Sequence, residues 1–173
     1  FNMVYSRQKG LPIEIMQTER TIIREICVND LEDLYRMYDD ELICKFLEPL
    51  YEYEEEKLFT EKYIENMYGL YGYGLWVVFD KKTGELMGRV GIEIRTIDGE
   101  DKNEIGYSIK REYRNKGYAF ETCQAVLKYA QDVLEIEEMF CVTHKNNLIS
   151  RHVSEKLGFE FYGESQVDNE KFI

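Results

Sequence analysis

Apolar and polar positions change their period several times along the chain, and each change predicts an element. The run ERTIIREI, Glu19 to Ile26, is rich in β-branched residues and reads as a strand. From Val28 the period becomes helical, with Leu31, Leu34, Tyr35 and Tyr38 on one face and Leu42, Ile43, Phe46 and Leu47 on the next. Asn29 and Glu32 form a capping pair at its start, and Pro49 ends it. A second, acidic helix turns Phe59, Tyr63, Ile64 and Met67 inward until the glycines of YGLYGYG stop it. The period then shortens. LWVVFDKKTGELMGRVGIEIRTIDGEDKNEIGYSIK holds three strand-like runs separated by KKTG and DGEDKN, which predicts an antiparallel meander. GYAFETCQAVLKYAQDVL places Ala119, Cys123, Val126, Leu127, Ala130, Val133 and Leu134 on one helical face. EMFCVTH reads as a strand, NLISRHVSEKL as a helix with Ile149, Val153 and Leu157 inward, and GFEFYGESQ as a closing strand.

The order β, α, α, βββ, α, β, α, β gives one mixed sheet with helices packed on it, an α/β (α+β) architecture. With 173 residues the chain suits one domain. Residues 1–15 precede a cleaner start at Met16 and are expected to be an N-terminal extension or the remnant of a longer protein, with residues 16–173 the single domain. Trp76 is expected to fill core.

A formal charge of −12 excludes nucleic acid as a partner, because phosphate contacts need clustered Lys and Arg. The excess is concentrated: Asp30 to Glu65 holds 13 acidic residues against Arg36, Lys45, Lys57 and Lys62. Cationic partners fit that distribution. The cysteines Cys27, Cys44, Cys123 and Cys141 are widely spaced in apolar surroundings and form no metal-ligand pattern, so they are expected to be buried thiols in a reducing cytoplasm. His144 and His152 flank a strand-to-helix junction and do not suggest a metal pair. No run approaches the roughly 18 apolar residues of a membrane span.

One stretch runs against the acidic background. In KREYRNKGYAFETCQ, Lys110 to Gln124, a strand feeds a short basic loop with one glycine and then a helix. Free amides of a first helical turn, the helix dipole and a glycine that lets the backbone come close make an anion site. A basic turn that caps a helix fits the same spacing. The fingerprints GxGxxG and GxxxxGK[ST] are absent, which disfavours NAD and nucleoside triphosphates.

RNKGYA, Arg114 to Ala119, matches R/Q-x-x-G-x-G/A, the pyrophosphate-binding signature of the GCN5-related N-acetyltransferase (GNAT) superfamily, and NEIGYSIKREY before it resembles that family's fourth strand. NNLISRHVSEKLGFEFYGE resembles the family's second conserved block, and TERTIIREICVNDLEDLYRMY is similar to the start of the subgroup that contains ribosomal-protein N-terminal acetyltransferases and spermidine acetyltransferases. The resemblance spans about Thr18 to Glu164. It implies the GNAT fold: one mixed, mostly antiparallel sheet with splayed central strands and about four helices. Acetyl-CoA, the acetyl donor, would lie in the splay, with no metal. Tyr107, Ser108 and Ile109 would offer strand backbone to the pantetheine arm, and Arg114, Asn115, Lys116, Gly117, Tyr118 and Ala119 would cradle the pyrophosphate. Asn147 matches an asparagine that contacts the cofactor, and is equally a helix N-cap.

The implied reaction is direct attack of a neutral amine on the thioester, which needs a base for the ammonium, a donor for the oxyanion and an acid for the thiolate. Glu104 is the first candidate base and Glu93 the second; the alternative for Glu104 is an exposed charge at a strand end. Where many members carry a Tyr acid this chain has Ser154. Ser150, matching the serine attributed to ribosomal-protein acetyltransferases, is the first candidate acid and Ser154 the second, with water as the alternative. The acceptor would pass the first two helices, where Asp39, Asp40, Glu41, Glu48, Glu52 and Glu54 to Glu56 either steer a cationic amine or simply solvate a helix surface. A protein N-terminus, a polyamine and another small cationic amine all suit such a wall, and an exposed edge strand would allow a homodimer. A sensing module that binds acetyl-CoA without turnover is the competing expectation.

Overall fold

The computed structural model describes residues 11–165. Its sheet has five strands in the order of the chain, each antiparallel to the next: β1 (Glu14–Gln17), β2 (Thr21–Arg24), β3 (Leu75–Asp80), β4 (Leu86–Ile97) and β5 (Glu100–Ile109). The strand expected over Glu19 to Ile26 is β2, and β1, which precedes that span, pairs with it as a hairpin. Thr18 and Thr21 close its turn through their hydroxyls, 2.6 Å apart. β4 and β5 meet at Asp98 (φ 51°) and Gly99 (φ 82°), a two-residue turn whose positive φ angles match the twist of the strands. The turn is therefore shorter than DGEDKN suggested, and Glu100–Asn103 extend the ladder.

Pleating sorts the side chains. Trp76, Val90, Ile92 and Ile105 form the face that packs on α4 (Tyr118–Asp132), which buries Thr122, Cys123, Val126 and Ala130. Trp76 is fully buried, edge-on to Tyr129 with ring centroids 5.8 Å apart, as core filling requires. The opposite face receives α1 (Leu31–Tyr38), α2 (Glu41–Phe46) and α3 (Tyr53–Tyr63). A π-helical turn over Ile64–Tyr71 prolongs α3 and ends at Gly72 (φ 78°), where the glycine run predicted a stop. Two tyrosines then lock the turn to the sheet: Tyr63 Oη accepts from Leu75 N at 2.6 Å, and Tyr68 Oη donates to Leu75 O at 2.5 Å.

Several local expectations change. The helical stretch after Val28 breaks at Asp40, whose extended backbone (φ −145°) and carboxylate cap α2 through Leu42 N at 2.8 Å. The start of α1 is organised by Asp30 rather than by Asn29 and Glu32: it accepts from Cys27 N at 2.8 Å and holds the Arg24 fork at 2.7 and 2.8 Å. EMFCVTH contributes only one parallel bridge, Phe140 to Glu104, before the chain leaves β5. No strand forms over the described part of GFEFYGESQ, and Gln166 lies outside the described residues. Without a strand beside it, α5 (Leu148–Lys156) packs mainly on α4, and Ile149 is 61% exposed rather than inward. Cys123 alone of the four free cysteines is buried; Cys44 is exposed, because on the short α2 its neighbour Ile43 takes the inward position. No helix among the described residues is long and apolar enough to cross a membrane.

The β3–β4 contact sets a strict size limit. A Cβ on Gly91 would stand 2.1 Å from Gly74 O and 2.8 Å from Leu75 Cα, both backbone atoms that cannot rotate away. Gly91→Ala is expected to lower stability by about 1–3 kcal/mol or more, read from urea unfolding; an unchanged midpoint would contradict this packing.

Candidate active site

Where the chain parts from β5 a cleft of about 1150 Å³ opens, with the end of β5 and the basic loop on one side, residues 141–144 and α5 on another, and α2 and α3 across it. His144 and Phe46 both line it, ring centroids 5.6 Å apart.

Glu93 and Glu104 are directly paired across β4 and β5, so the pleat turns both to the cleft face. The strands do not choose between them; they make them neighbours. Glu104 is 5% exposed, not the solvated strand-end charge that was the alternative. It accepts from Arg95 Nε at 2.8 Å and from the backbone amide of Val142. Arg95 Nη2 also lies 3.6 Å from Glu93 Oε2, so one guanidinium serves both carboxylates. Burial pushes Glu104 up to about 7; the Arg95 charge opposes that rise and the Glu93 charge adds to it. Gly106 leaves room for the pair, since a Cβ there would come within 2.9 Å of Glu93 Oε2.

At the other end of the cleft the basic loop reverses through Asn115 (φ 59°) and Gly117 (φ 82°). Gly117 is the N-cap of α4 and no side chain caps the helix; its first backbone bond is Glu121 N to Gly117 O, which leaves the first-turn amides for a ligand. Arg114 and Arg111 border the cleft, but both are held by Asp40, with Arg114 Nη2 3.1 Å and Arg111 Nε 3.3 Å from its Oδ2. Against the upward push of burial, the Leu42 amide and Arg114 keep Asp40 below the usual carboxylate range. Lys116 turns away, donating to Glu112 O at 2.8 Å, and does not border the cleft. The helix start is clamped from the β1–β2 turn: Arg20 stacks 3.9 Å above the Tyr118 ring and donates to Glu121 Oε1 at 2.8 Å.

Ser108, Ile109, Tyr118, Ala119 and Asn147 all border the cleft. Asn147 caps α5, accepting from Ser150 N at 3.2 Å. Ser150 faces the cleft beside Tyr107, whose ring turns to the α4 side and whose phenol burial pushes up to about 12, the Ser150 hydroxyl acting against it. Ser154 is off the cleft wall: its hydroxyl donates to Ser150 O at 2.9 Å and lies 3.0 Å from Cys141 Sγ. Of the two candidate acids, Ser150 alone borders the cleft. The acidic wall is also smaller than its sequence suggested. Asp40 is a cap and ion-pair partner; Glu48 and buried Glu56, which accepts from Tyr51 N at 2.9 Å, border the cleft, while Asp39, Glu41, Glu52, Glu54 and Glu55 are on the solvated surface.

Arg95 and Arg89 were not singled out from the sequence, although both share the parity of Glu93 in GRVGIEIR, a local signal that alternation supplies. The Arg20–Glu121 clamp spans 101 residues and had none.

Comparison with known proteins identifies the family and the fold. A family model described as Acetyltransferase (GNAT) domain matches residues 20–160. The Bacillus subtilis (strain 168) protein YkkB is 35% identical over 91 residues, 53% of each chain, so this chain spans about half the length of that relative. The uncharacterized N-acetyltransferase YnaD of the same strain is 27% identical over 84% of this chain and 82% of its own. The crystal structure of a GNAT-family acetyltransferase from Bacillus anthracis superposes with a TM-score of 0.69 at 28% identity, covering 85% of this chain and 84% of the other. A ribosomal-protein-S5-alanine acetyltransferase from Vibrio fischeri shares the fold at TM-score 0.71 and 19% identity, covering 89% of this chain and 85% of its own.

The raised Glu104 value has a measurable thermodynamic sign. A carboxyl whose folded value, about 7, exceeds its ordinary 4.5 holds its proton in the folded state, so its stability contribution is present below 4.5 and is lost as pH rises through 7. Urea unfolding between pH 4.5 and 8 should show stability falling by up to roughly 3 kcal/mol from this group, and Glu104→Gln should flatten that slope. An equal slope in both proteins would contradict the assignment.

Proposed function

Because the chain belongs to the GNAT acetyltransferase family, we propose that it transfers the acetyl group of acetyl-CoA to a primary amine by direct attack. The observation that carries this is the juxtaposition in one cleft of a buried carboxyl titrating near neutrality and the uncapped start of α4. The family donor supplies the activated acetyl group. The first-turn amides of α4, with Arg114 and Arg111, suit its pyrophosphate; the β5 backbone at Tyr107, Ser108 and Ile109 suits its pantetheine arm.

The acceptor arrives as an ammonium, drawn by Glu48, Glu93 and Glu104, and is a protein N-terminus, a polyamine or another small cationic amine. Glu104, ionised above pH 7, takes its proton directly or through water, with Arg95 fixing the carboxylate and Glu93 adding negative charge beside it. The Ser150 hydroxyl, or water held by it, returns a proton to the leaving thiolate.

Thiol release from acetyl-CoA against a panel of amines, together with a direct acetyl-CoA titration, tests the reading. Turnover is expected; binding without turnover on any amine would favour the sensing module that the Tyr-to-Ser change at Ser154 suggests. In wild type kcat/KM should rise with pH through about 7, the value set by Glu104. Glu104→Gln should lower kcat roughly 100-fold with little change in acetyl-CoA affinity. Gly117→Val, which puts a branched side chain where φ is +82°, should weaken acetyl-CoA binding at least about 10-fold. Unchanged affinity would remove that loop from the donor site.

A further inference from the structure

The cleft holds a cation that the proposed chemistry does not use. Arg89 lies on β4 opposite Ser108, and alternation puts it on the same face as Glu93 and Arg95. Its side chain borders the cleft, its Nε is sealed from solvent without a hydrogen-bond partner, and among the described residues its guanidinium forms no ion pair. Arg20, Arg24, Arg95 and Arg114 are each matched to a carboxylate. The charged and titratable groups around Arg89 are Tyr38, Tyr63, Tyr68 and Glu93, and none of them accepts a hydrogen bond from its Nε. The Tyr63 and Tyr68 hydroxyls are already engaged by the backbone of Leu75.

A guanidinium with a buried, unpartnered N–H and no ion pair is costly, and one facing a cleft is matched when an anion enters. The wall beside it carries the rings of Phe59 and Tyr63, centroids 6.0 Å apart, backed by Tyr51 and Tyr68 at 5.7 and 5.4 Å from them. Such a wall offers an organic spacer apolar contact. A polyamine, by contrast, would bring a second ammonium against Arg89.

We propose that the acceptor is an amino-carboxylate, an amine joined by an organic spacer to a carboxylate, and that Arg89 holds the carboxylate while the amine faces Glu93 and Glu104. This rests on the acetyltransfer reading and narrows its acceptor. The planar fork of arginine pairs two-to-two with a carboxylate. Arg89 and Glu93 are four residues apart on one strand, about 13 Å between their Cα atoms, and their long side chains shorten the span a substrate must bridge. In the reaction the amine nitrogen bonds to the acetyl carbon as the carbon–sulfur bond breaks. The ammonium proton passes to the site and a proton returns to the thiolate, and the carboxylate is unchanged.

The test measures thiol release and product mass for amino acids with α, β, γ and longer amine–carboxylate spacings, their methyl esters, the matching amines without the carboxylate, and spermidine, with acetyl-CoA binding titrated alongside. At least one free acid should exceed its ester in kcat/KM by roughly 10- to 100-fold, the worth of a charge-assisted contact. Arg89→Gln should lower that acid-to-ester ratio by the same factor, and Arg89→Lys should restore part of it. Esters or spermidine acetylated as well as every acid would overturn the proposal and leave acetyltransfer standing. A ratio unchanged in Arg89→Gln would make Arg89 structural. Failure to bind acetyl-CoA would instead overturn the underlying reading, and this inference with it. The wild-type acid-to-ester comparison decides even if a variant does not fold.

Discussion

A strand continuing beside β5 beyond Phe140 would fill the space that the cleft occupies. The chain makes one parallel bridge there, with Ile105 N to Phe140 O at 2.9 Å and Phe140 N to Asn103 O at 2.8 Å, and then diverges. Glu104 sits at the point of divergence, between a full ladder to β4 and the departing segment, and its carboxylate takes the Val142 amide. That position explains its chemistry. The paired strands remove water from the carboxyl while the parting leaves it open to the cleft, so burial and access coexist at one residue.

The polar groups of the cleft are organised by arginines of different status. Arg95 is committed to the two glutamates, and its removal would leave buried Glu104 and half-buried Glu93 facing each other without the guanidinium that bridges them. Arg111 and Arg114 share Asp40, which also caps α2, so the loop beside the α4 start and the helix across the cleft are joined through one carboxylate. A phosphate group bidding for those arginines would draw on the same ion pairs. An anion held by those arginines would thereby be tied to the position of α2.

The meander, α4 and the glycine-marked reversals were legible because their signals are local: period-2 runs, a helical stripe, and residues that accept positive φ. The carboxylate pair was within reach as well. A two-residue turn at Asp98 and Gly99 fixes Ile97 opposite Glu100, and hence Glu93 opposite Glu104; taking the turn as longer hid that register. The late strands were misjudged for the opposite reason. Apolar alternation in EMFCVTH and GFEFYGESQ describes what a segment can do, while pairing depends on whether a neighbouring edge lies within reach. The burial of Asp40 and Glu56 was equally invisible, since a run of acidic residues reads as solvated surface until distant partners are known.

The Arg20 clamp bears on where this domain can be cut. Arg20 stacks on Tyr118 and binds Glu121 and Lys116 O, and Thr18 adds a 2.6 Å bond from its hydroxyl to Glu121 Oε2. The start of α4 is thus braced by a hairpin that precedes it by about 100 residues of chain. A fragment trimmed to begin after Arg20 would keep β3, β4, β5 and every cleft residue named above, yet lose the brace that orients the first-turn amides. For expression or fusion design, the usable boundary lies before β1, since the Thr18 and Arg20 bonds brace α4 and Ile15 and Met16 pack on the core.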